Sequence, residues 1–493
     1  MVHTWLFLAA LVAVPHPVRA QAPRVGPPKG TVIVVGGGQV GPDIWKRFIA
    51  AAGGPDALII DVPTAGGDTV YPPTRRGPAG LYRAGAKNVV LLHTVDRKVA
   101  DSDSFPTLLA KAGGVWFEGG RQWHLVDSYA GTRTEQAFMA VLERGGVVGG
   151  SSAGASILGS YLLRGARSGN TIIMAPGYEA GFGYLRGTAI DQHVVARERL
   201  RDLADSLLPR RPELLGISED EGTAWVVWGD TAEIVGRNKA FAYGGKDTDP
   251  GKPFLTLFPG DRYDLGARRV MRRAGEGSGI TEAMVDREFS KCTGTCKATI
   301  LVARDGKVLV AKGYGIPPHP RYMPATTVPN FDLGGLSTAF ESAARQLAQA
   351  GTALTPAVIT RRLLTPIGTR KTQIDTTAGR LRFRSNADEL YRLALGLETP
   401  EIFAGTGTTD ETGTVTLSTD SDATAPSFDP ALGWAMDRFK GMERAALYGT
   451  PDGKRNAFVR IPAQRIAVII LSDSESLDAG RIANRIVERL LRK

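Results

Sequence analysis

A serine set among glycines is the feature of this chain with the clearest chemical meaning. Gly150-Ser151-Ser152-Ala153-Gly154 fits G-x-S-x-G. It follows a short apolar stretch, Val147-Val148, and precedes Ala155–Leu163, which reads as a helix. A serine on such a strand-to-helix turn holds its hydroxyl clear of the backbone, and small neighbours permit the tight bend. The N–H of Ala153, at the start of the helix, then faces the place where an oxyanion would develop. A glycine-rich turn with no chemistry has the same local pattern, so partners must decide.

A serine hydroxyl is a poor nucleophile until a nearby base takes its proton, and a carboxylate must orient that base. Beyond residue 20 the histidines are His93, His124, His193 and His319. His93 ends a strand upstream and reads as structural. His124, in Arg121-Gln122-Trp123-His124-Leu125, reads as a packing or surface residue. His319 sits among prolines far downstream and fits the Ser, acid, His order of α/β-hydrolases poorly. His193, in Asp191-Gln192-His193, is the candidate base. Its acid is sought in Gly216–Ala224 (GISEDEGTA), where Glu221 is the candidate and Glu219 and Asp220 compete with it.

These residues need a scaffold. Between 31 and 245, short apolar runs alternate with helical patterns. Thr31–Val35, Ala57–Val62, Asn88–Leu92, Gly114–Phe117 and Val147-Val148 read as strands, and Asp43–Ala52 and Thr134–Arg144 as helices. Such alternation predicts a mostly parallel sheet covered on both faces. Ala224–Val235 and Ala240–Tyr243 read as a hairpin, and Phe254–Leu257 as a closing strand. A chain of 493 residues exceeds one usual domain, and a second is expected from about 280. There, Thr299–Ala303, Asp305-Gly306 and Val308–Ala311 form a hairpin signature. Leu336–Gln349 reads as helix, Ala404–Pro430 as a long loop, Ile466–Leu471 as a strand and Ala479–Leu491 as a closing helix.

Four stretches together resemble the cyanophycinase and dipeptidase E family of serine peptidases: Val35–Gly38 (VGGG), Phe117–Gln122 (FEGGRQ), Gly149–Ser156 (GGSSAGAS) and Asp191–Arg199 (DQHVVARER). GISEDEGTA supports them. The resemblance implies a domain over 26–272 with the three-layer, class I glutamine amidotransferase-like or flavodoxin-like α/β fold. It implies a Ser152, His193, Glu221 catalytic set, with Ala153 and Gly120 at the oxyanion. It also implies substrate contacts from Gln122, Asp191, Gln192, Arg197 and Arg199. The implied substrate is a peptide or polypeptide, with cyanophycin, a polyaspartate carrying arginine side groups, foremost. Other short or isoaspartyl peptides are the alternative. Arginine suits free carboxylates because its fork engages both oxygens. The chain departs from the family at Arg121, where an acid is expected, and at Asp202, which stands where a third arginine is expected beside Arg201.

The second domain, 280–493, resembles β-lactamase-like serine hydrolases and penicillin-binding proteins, an α+β fold. The resemblance runs through Ala298–Gly315, Val358–Gly368 and Arg460–Asp473. That chemistry needs Ser-x-x-Lys. Here Gly334-Gly335-Leu336-Ser337-Thr338 puts threonine where the lysine belongs, and no Ser-x-x-Lys occurs anywhere in the chain. Arg384-Ser385-Asn386 and Tyr448-Gly449-Thr450 break the other two motifs. A degenerate domain follows, one that binds peptide or polymer or stabilises its neighbour. A polymer- or peptidoglycan-binding protein with a vestigial first domain is the non-enzymatic alternative.

Composition bounds the rest. Sixty Lys and Arg against fifty Asp and Glu give a net charge of +10, scattered along the chain. That favours acidic partners without a nucleic-acid signature. Residues 1–20 read as a signal peptide: Trp5–Val14 is an apolar run, and Val18-Arg19-Ala20 offers a cleavage site. The run is too short to span a bilayer. A secreted or periplasmic protein with no membrane association after cleavage is therefore expected. In that setting Cys292 and Cys296 read as a local disulfide. No metal cluster or dinucleotide fingerprint is visible, so no cofactor is expected. A homodimer is left open.

Overall fold

The computed structural model of the protein describes residues 24–348, 353–377, 380–399, 408–409, 415–416, 434–449, 456–474 and 476–492. The expected signal peptide, 1–20, and most of the expected loop, 404–430, lie outside the described residues.

Five parallel strands carry the first domain: β1 (Thr31–Val35), β2 (Ile59–Val62), β3 (Val89–Leu91), β4 (Gly114–Phe117) and β5 (Val147–Ser151). They lie in the order β1-β5-β4-β2-β3. Alternation along β1 explains the layering. Val32 and Val34 enter one apolar cluster with Leu125, Phe138 and Val141, while Ile33 and Val35 enter the other with Trp45 and Phe48. Successive strand residues point to opposite faces, so both faces are covered. Helix Pro42–Ala52 covers one face, and helices Gln122–Tyr129 and Arg133–Glu143 cover the other.

Downstream come β6 (Gly159–Tyr161), β7 (Leu185–Gln192), β8 (Leu215–Glu219), β9 (Thr223–Trp228), β10 (Thr231–Gly236), β11 (Ala240–Tyr243), β12 (Phe254–Leu257), β13 (Arg262–Asp264) and β14 (Arg269–Arg272). Antiparallel β9, β10, β13 and β14 extend the parallel sheet beyond β1. The remaining five form a second sheet, β12-β11-β8-β7-β6.

Two expectations need correction. The hairpin lies within 224–235, as β9 and β10, while Ala240–Tyr243 crosses to the second sheet and pairs with β8 and β12. Ala155–Leu163 is not one helix. The helix is Ala153–Ser156, and Gly159–Tyr161 becomes a strand beside β7. A Cβ on Gly159 would stand 3.1 Å from the Thr188 carbonyl oxygen, so glycine permits that close pairing.

The second domain has the expected α+β form. Ala298–Arg304 and Lys307–Tyr314 make the expected hairpin. Asp305 and Gly306 both take positive φ, 51° and 73°, as a type I′ turn requires. Four further strands complete a six-stranded antiparallel sheet. Helix Ala479–Leu491 packs on one face, and helices Ser337–Leu347 and Ala387–Glu398 on the other. Cys292 and Cys296 form the expected disulfide. Among the described residues no helix is long and apolar enough to cross a membrane.

Candidate active site

Three consecutive carbonyls fix the site's backbone. At the end of β1, Val35 O accepts from Ser152 N–H at 3.0 Å, Gly36 O from His193 N–H at 3.0 Å, and Gly37 O from Gly222 N–H at 2.9 Å. One short stretch thus registers three segments that are distant in sequence. Glycine is required there. Gly37 has φ 92°, and a Cβ on it would lie 2.1 Å from His193 Cε1; one on Gly38, φ 64°, would lie 2.9 Å from Glu221. The VGGG run is where the imidazole and carboxylate rest on bare backbone.

Ser152 sits between β5 and helix Ala153–Ser156 with φ 57° and ψ −115°. A non-glycine residue in such a conformation is strained and is held by its surroundings. Those surroundings leave no room: a Cβ on Gly150 would meet Gly154 O at 2.2 Å, and one on Gly154 would meet Phe117 O at 2.2 Å. His193 also has positive φ, 56°.

The side chains form a relay. His193 Nε2 lies 2.8 Å from Ser152 Oγ, and His193 Nδ1 lies 2.7 Å from Glu221 Oε1. A carboxylate only accepts hydrogen bonds, so with neutral imidazole the proton belongs on Nδ1 and Nε2 accepts from the serine hydroxyl. His193 and Glu221 are both buried. Burial alone would raise the Glu221 carboxyl. The hydrogen bond and charge of His193, reinforced by Arg370, instead pull it from 4.5 down to about 2.

The competing acids are placed elsewhere. Asp220 Oδ1 accepts from Val195 N–H and Ala196 N–H and shapes the loop after His193. Glu219 is fully buried without a hydrogen-bond partner for its carboxyl, and burial holds it well above the usual carboxylate range.

The other expected residues divide. Gly119 packs against Ser152, its virtual Cβ 3.2 Å from the serine Cβ, and Gly120 follows with φ 146°. Ala153 begins the helix beside Ser152. Gln192 Nε2 donates to Ser156 Oγ at 3.3 Å, and its Oε1 accepts from buried Arg199 at 3.5 Å. Gln122 is buried at the first turn of its helix. Arg197 is exposed, and Glu221 and Arg370 are within its electrostatic reach. Asp191 differs most from expectation. It is 1% exposed and takes a bidentate grip from Arg164, at 2.8 and 2.7 Å, in place of an open subsite. Arg164 also reaches Asp202 at 2.7 Å, so the residue standing for the family's third arginine, itself half-buried, closes an ion triad on the buried Arg164. The remaining histidines are apart from the relay: His93 bonds Thr64 and Thr69, His124 stacks on Trp123, and His319 accepts from Arg321 N–H.

Sequence reasoning missed Arg164 and Arg370. Neither lies in a motif. Arg370 belongs to the second domain, yet its Nη2 meets Glu221 Oε1 and Oε2 at 2.8 and 2.6 Å.

Residues 32–235 match the model of peptidase family S51. A cyanophycinase of Geminocystis herdmanii is 31% identical over 218 residues, covering 42% of this chain and 78% of that protein. A cyanophycinase of Synechococcus elongatus is 29% identical over 273 residues, covering 50% of this chain and 82% of its own. Among solved structures, a peptidase from an acI-B1 actinobacterium aligns over 48% of this chain and 97% of its own, at 23% identity and a TM-score of 0.37. The chain belongs to peptidase family S51 and is a serine-type peptidase.

Proposed function

We propose that this protein is exported and hydrolyses cyanophycin or related β-aspartyl-arginine peptides through an acyl-enzyme on Ser152. The observation that carries the mechanism is the continuous Ser152, His193, Glu221 relay, with contacts of 2.8 and 2.7 Å. Ser152 Oγ attacks the scissile carbonyl carbon while His193 Nε2 takes its proton. The C–N bond then breaks, and the same proton passes to the departing amine. Water, deprotonated in turn by His193, attacks the ester and frees the carboxylate and the serine. Glu221 holds the imidazole's orientation and balances its charge. Ala153 N–H and the Gly120 backbone are the oxyanion donors in this reading.

The substrate class is supported by the cyanophycinase relatives and by cations at the rim. Arg197 and Arg370 stand exposed beside the relay and suit free aspartyl carboxylates. Export is supported by the apolar run and cleavage pattern of residues 1–20.

The test is incubation of the purified full chain with cyanophycin and a panel of isoaspartyl and ordinary dipeptides, with products identified by mass. Release of β-aspartyl-arginine, absent with Ser152→Ala, is the expected result. Intact cyanophycin beside a Ser152 that reacts with a fluorophosphonate would overturn the substrate reading and keep the peptidase.

A further inference from the structure

We infer that Arg370 of the second domain is a positioning residue of the hydrolytic site, holding Glu221 and tempering its pull on His193. The inference rests on the relay proposed above and adds to it a residue that lies outside the S51-matched segment.

Glu221 is held from the second domain at both ends. Its carboxylate takes Arg370 on both oxygens, and Oε1 is shared between Arg370 and His193. Its backbone carbonyl accepts from Asn238 Nδ2 at 2.6 Å, and Asn238 Oδ1 accepts in turn from Arg392 Nε at 2.7 Å. Arg392 lies on helix Ala387–Glu398 of the second domain.

The segment that delivers Arg370 is itself built. Buried Glu389 accepts from the N–H groups of Arg370 and Lys371 at 2.8 and 2.6 Å, and from the Thr372 hydroxyl. Asn386 caps that helix by accepting from Glu389 N–H. Next along the chain, Lys371 Nζ reaches Glu198 Oε1 at 3.4 Å, and Arg321 also grips Glu198. Glu198 follows His193 in the same loop, so the second domain braces the loop as well as the acid. A cavity of about 420 Å³ lies in this junction, lined by Glu221, Asp220 and Asn238 from one side and Arg370, Glu389 and Arg392 from the other.

The electrostatic consequence follows from sign. Glu221 stabilises a proton on His193. A guanidinium on the same carboxylate offsets part of that field, so Arg370 weakens the hold of Glu221 on positive charge at the imidazole. Arg197 and Arg237 also act on Glu221, with Asp43 beside Arg237, and Asp220, Lys371, Asp388, Glu389 and Arg392 line the same cavity. All remain in place when only Arg370 changes. Its low carboxyl value, about 2, fits a group gripped from two sides.

The test is the rate of Ser152 labelling by a fluorophosphonate across pH, on the full chain and on Arg370→Met, Arg370→Ala and Arg370→Lys. In the Met and Ala variants the acid limb is expected to move to higher pH by about half to one unit, the size of one partly screened charge at this range. The Lys variant should return it most of the way. A purely structural role would lower labelling at every pH and leave the limb in place, and that result overturns the inference. Should the Ala variant fail to fold, the Met variant, which keeps the length of the side chain, carries the comparison. A parent chain that is not labelled at Ser152 overturns the relay itself; a labelled parent with unmoved limbs overturns only the role of Arg370.

Discussion

At the scale of single residues, the site is decided by which of three adjacent acids meets the imidazole. Glu219, Asp220 and Glu221 are chemically interchangeable on paper, and the sequence left all three in play. Their surroundings separate them. Glu219 is buried without a hydrogen-bond partner and its carboxyl is pushed well above the usual range by burial, Asp220 accepts backbone N–H groups, and Glu221 meets His193 28 positions away. Glu221→Gln keeps the shape and removes the charge. It should lower kcat/KM by about 10²–10⁴-fold, read by dipeptide release. The same carboxyl predicts an acid dependence of stability. Its folded value is depressed from 4.5 to about 2, so its contribution is full above about 4.5 and is lost as pH falls through about 2. Urea midpoints from neutral to strongly acid pH should therefore fall less in Glu221→Gln than in the parent, and equal slopes would contradict the ion-pair account.

At the scale of elements, the parallel strands were legible because buried strands are short runs of β-branched residues, as in Thr31–Val35. The boundary after the nucleophile was not legible. Apolar residues from 155 to 163 suit a buried helix or a buried strand equally, and pairing of Gly159–Tyr161 with β7 settled it. The glycines after β1 were recognised only as part of a family pattern. Their physical role is to present two carbonyls, next to that of Val35, to His193 and Gly222 while leaving no Cβ in the way. Gly37→Ala should therefore push the imidazole off the serine. We expect a loss of about 1–3 kcal/mol in stability from the positive φ. The drop in Ser152 labelling should exceed tenfold while circular dichroism keeps the native spectrum. Undiminished labelling would show that His193 does not rest on Gly37.

At the scale of the whole molecule, the two domains share buried charges. Lys239 of the first meets Asp388 of the second at 2.5 Å, with side chains 7% and 6% exposed. Thr326 and Thr327 donate to the same carboxylate. Removing one partner leaves the other charge uncompensated, a cost of about 3–5 kcal/mol. Asp388→Ala should lower the unfolding free energy by about that amount, and calorimetry of the parent should show both domains melting in one transition. Two well-separated transitions would contradict a tightly coupled junction. By itself the sequence determined the elbow serine, the histidine that meets it, the parallel core, the Asp-Gly hairpin and the close disulfide. Each of these is written in local spacing or in a short run of residue types. Only the tertiary structure seated Glu221 on the imidazole and its two acidic neighbours elsewhere, turned Asp191 inward onto Arg164, and brought Arg370 to the acid from 149 positions away. Such pairings depend on where the folded backbone places two segments in space, and composition along one segment holds no record of the other.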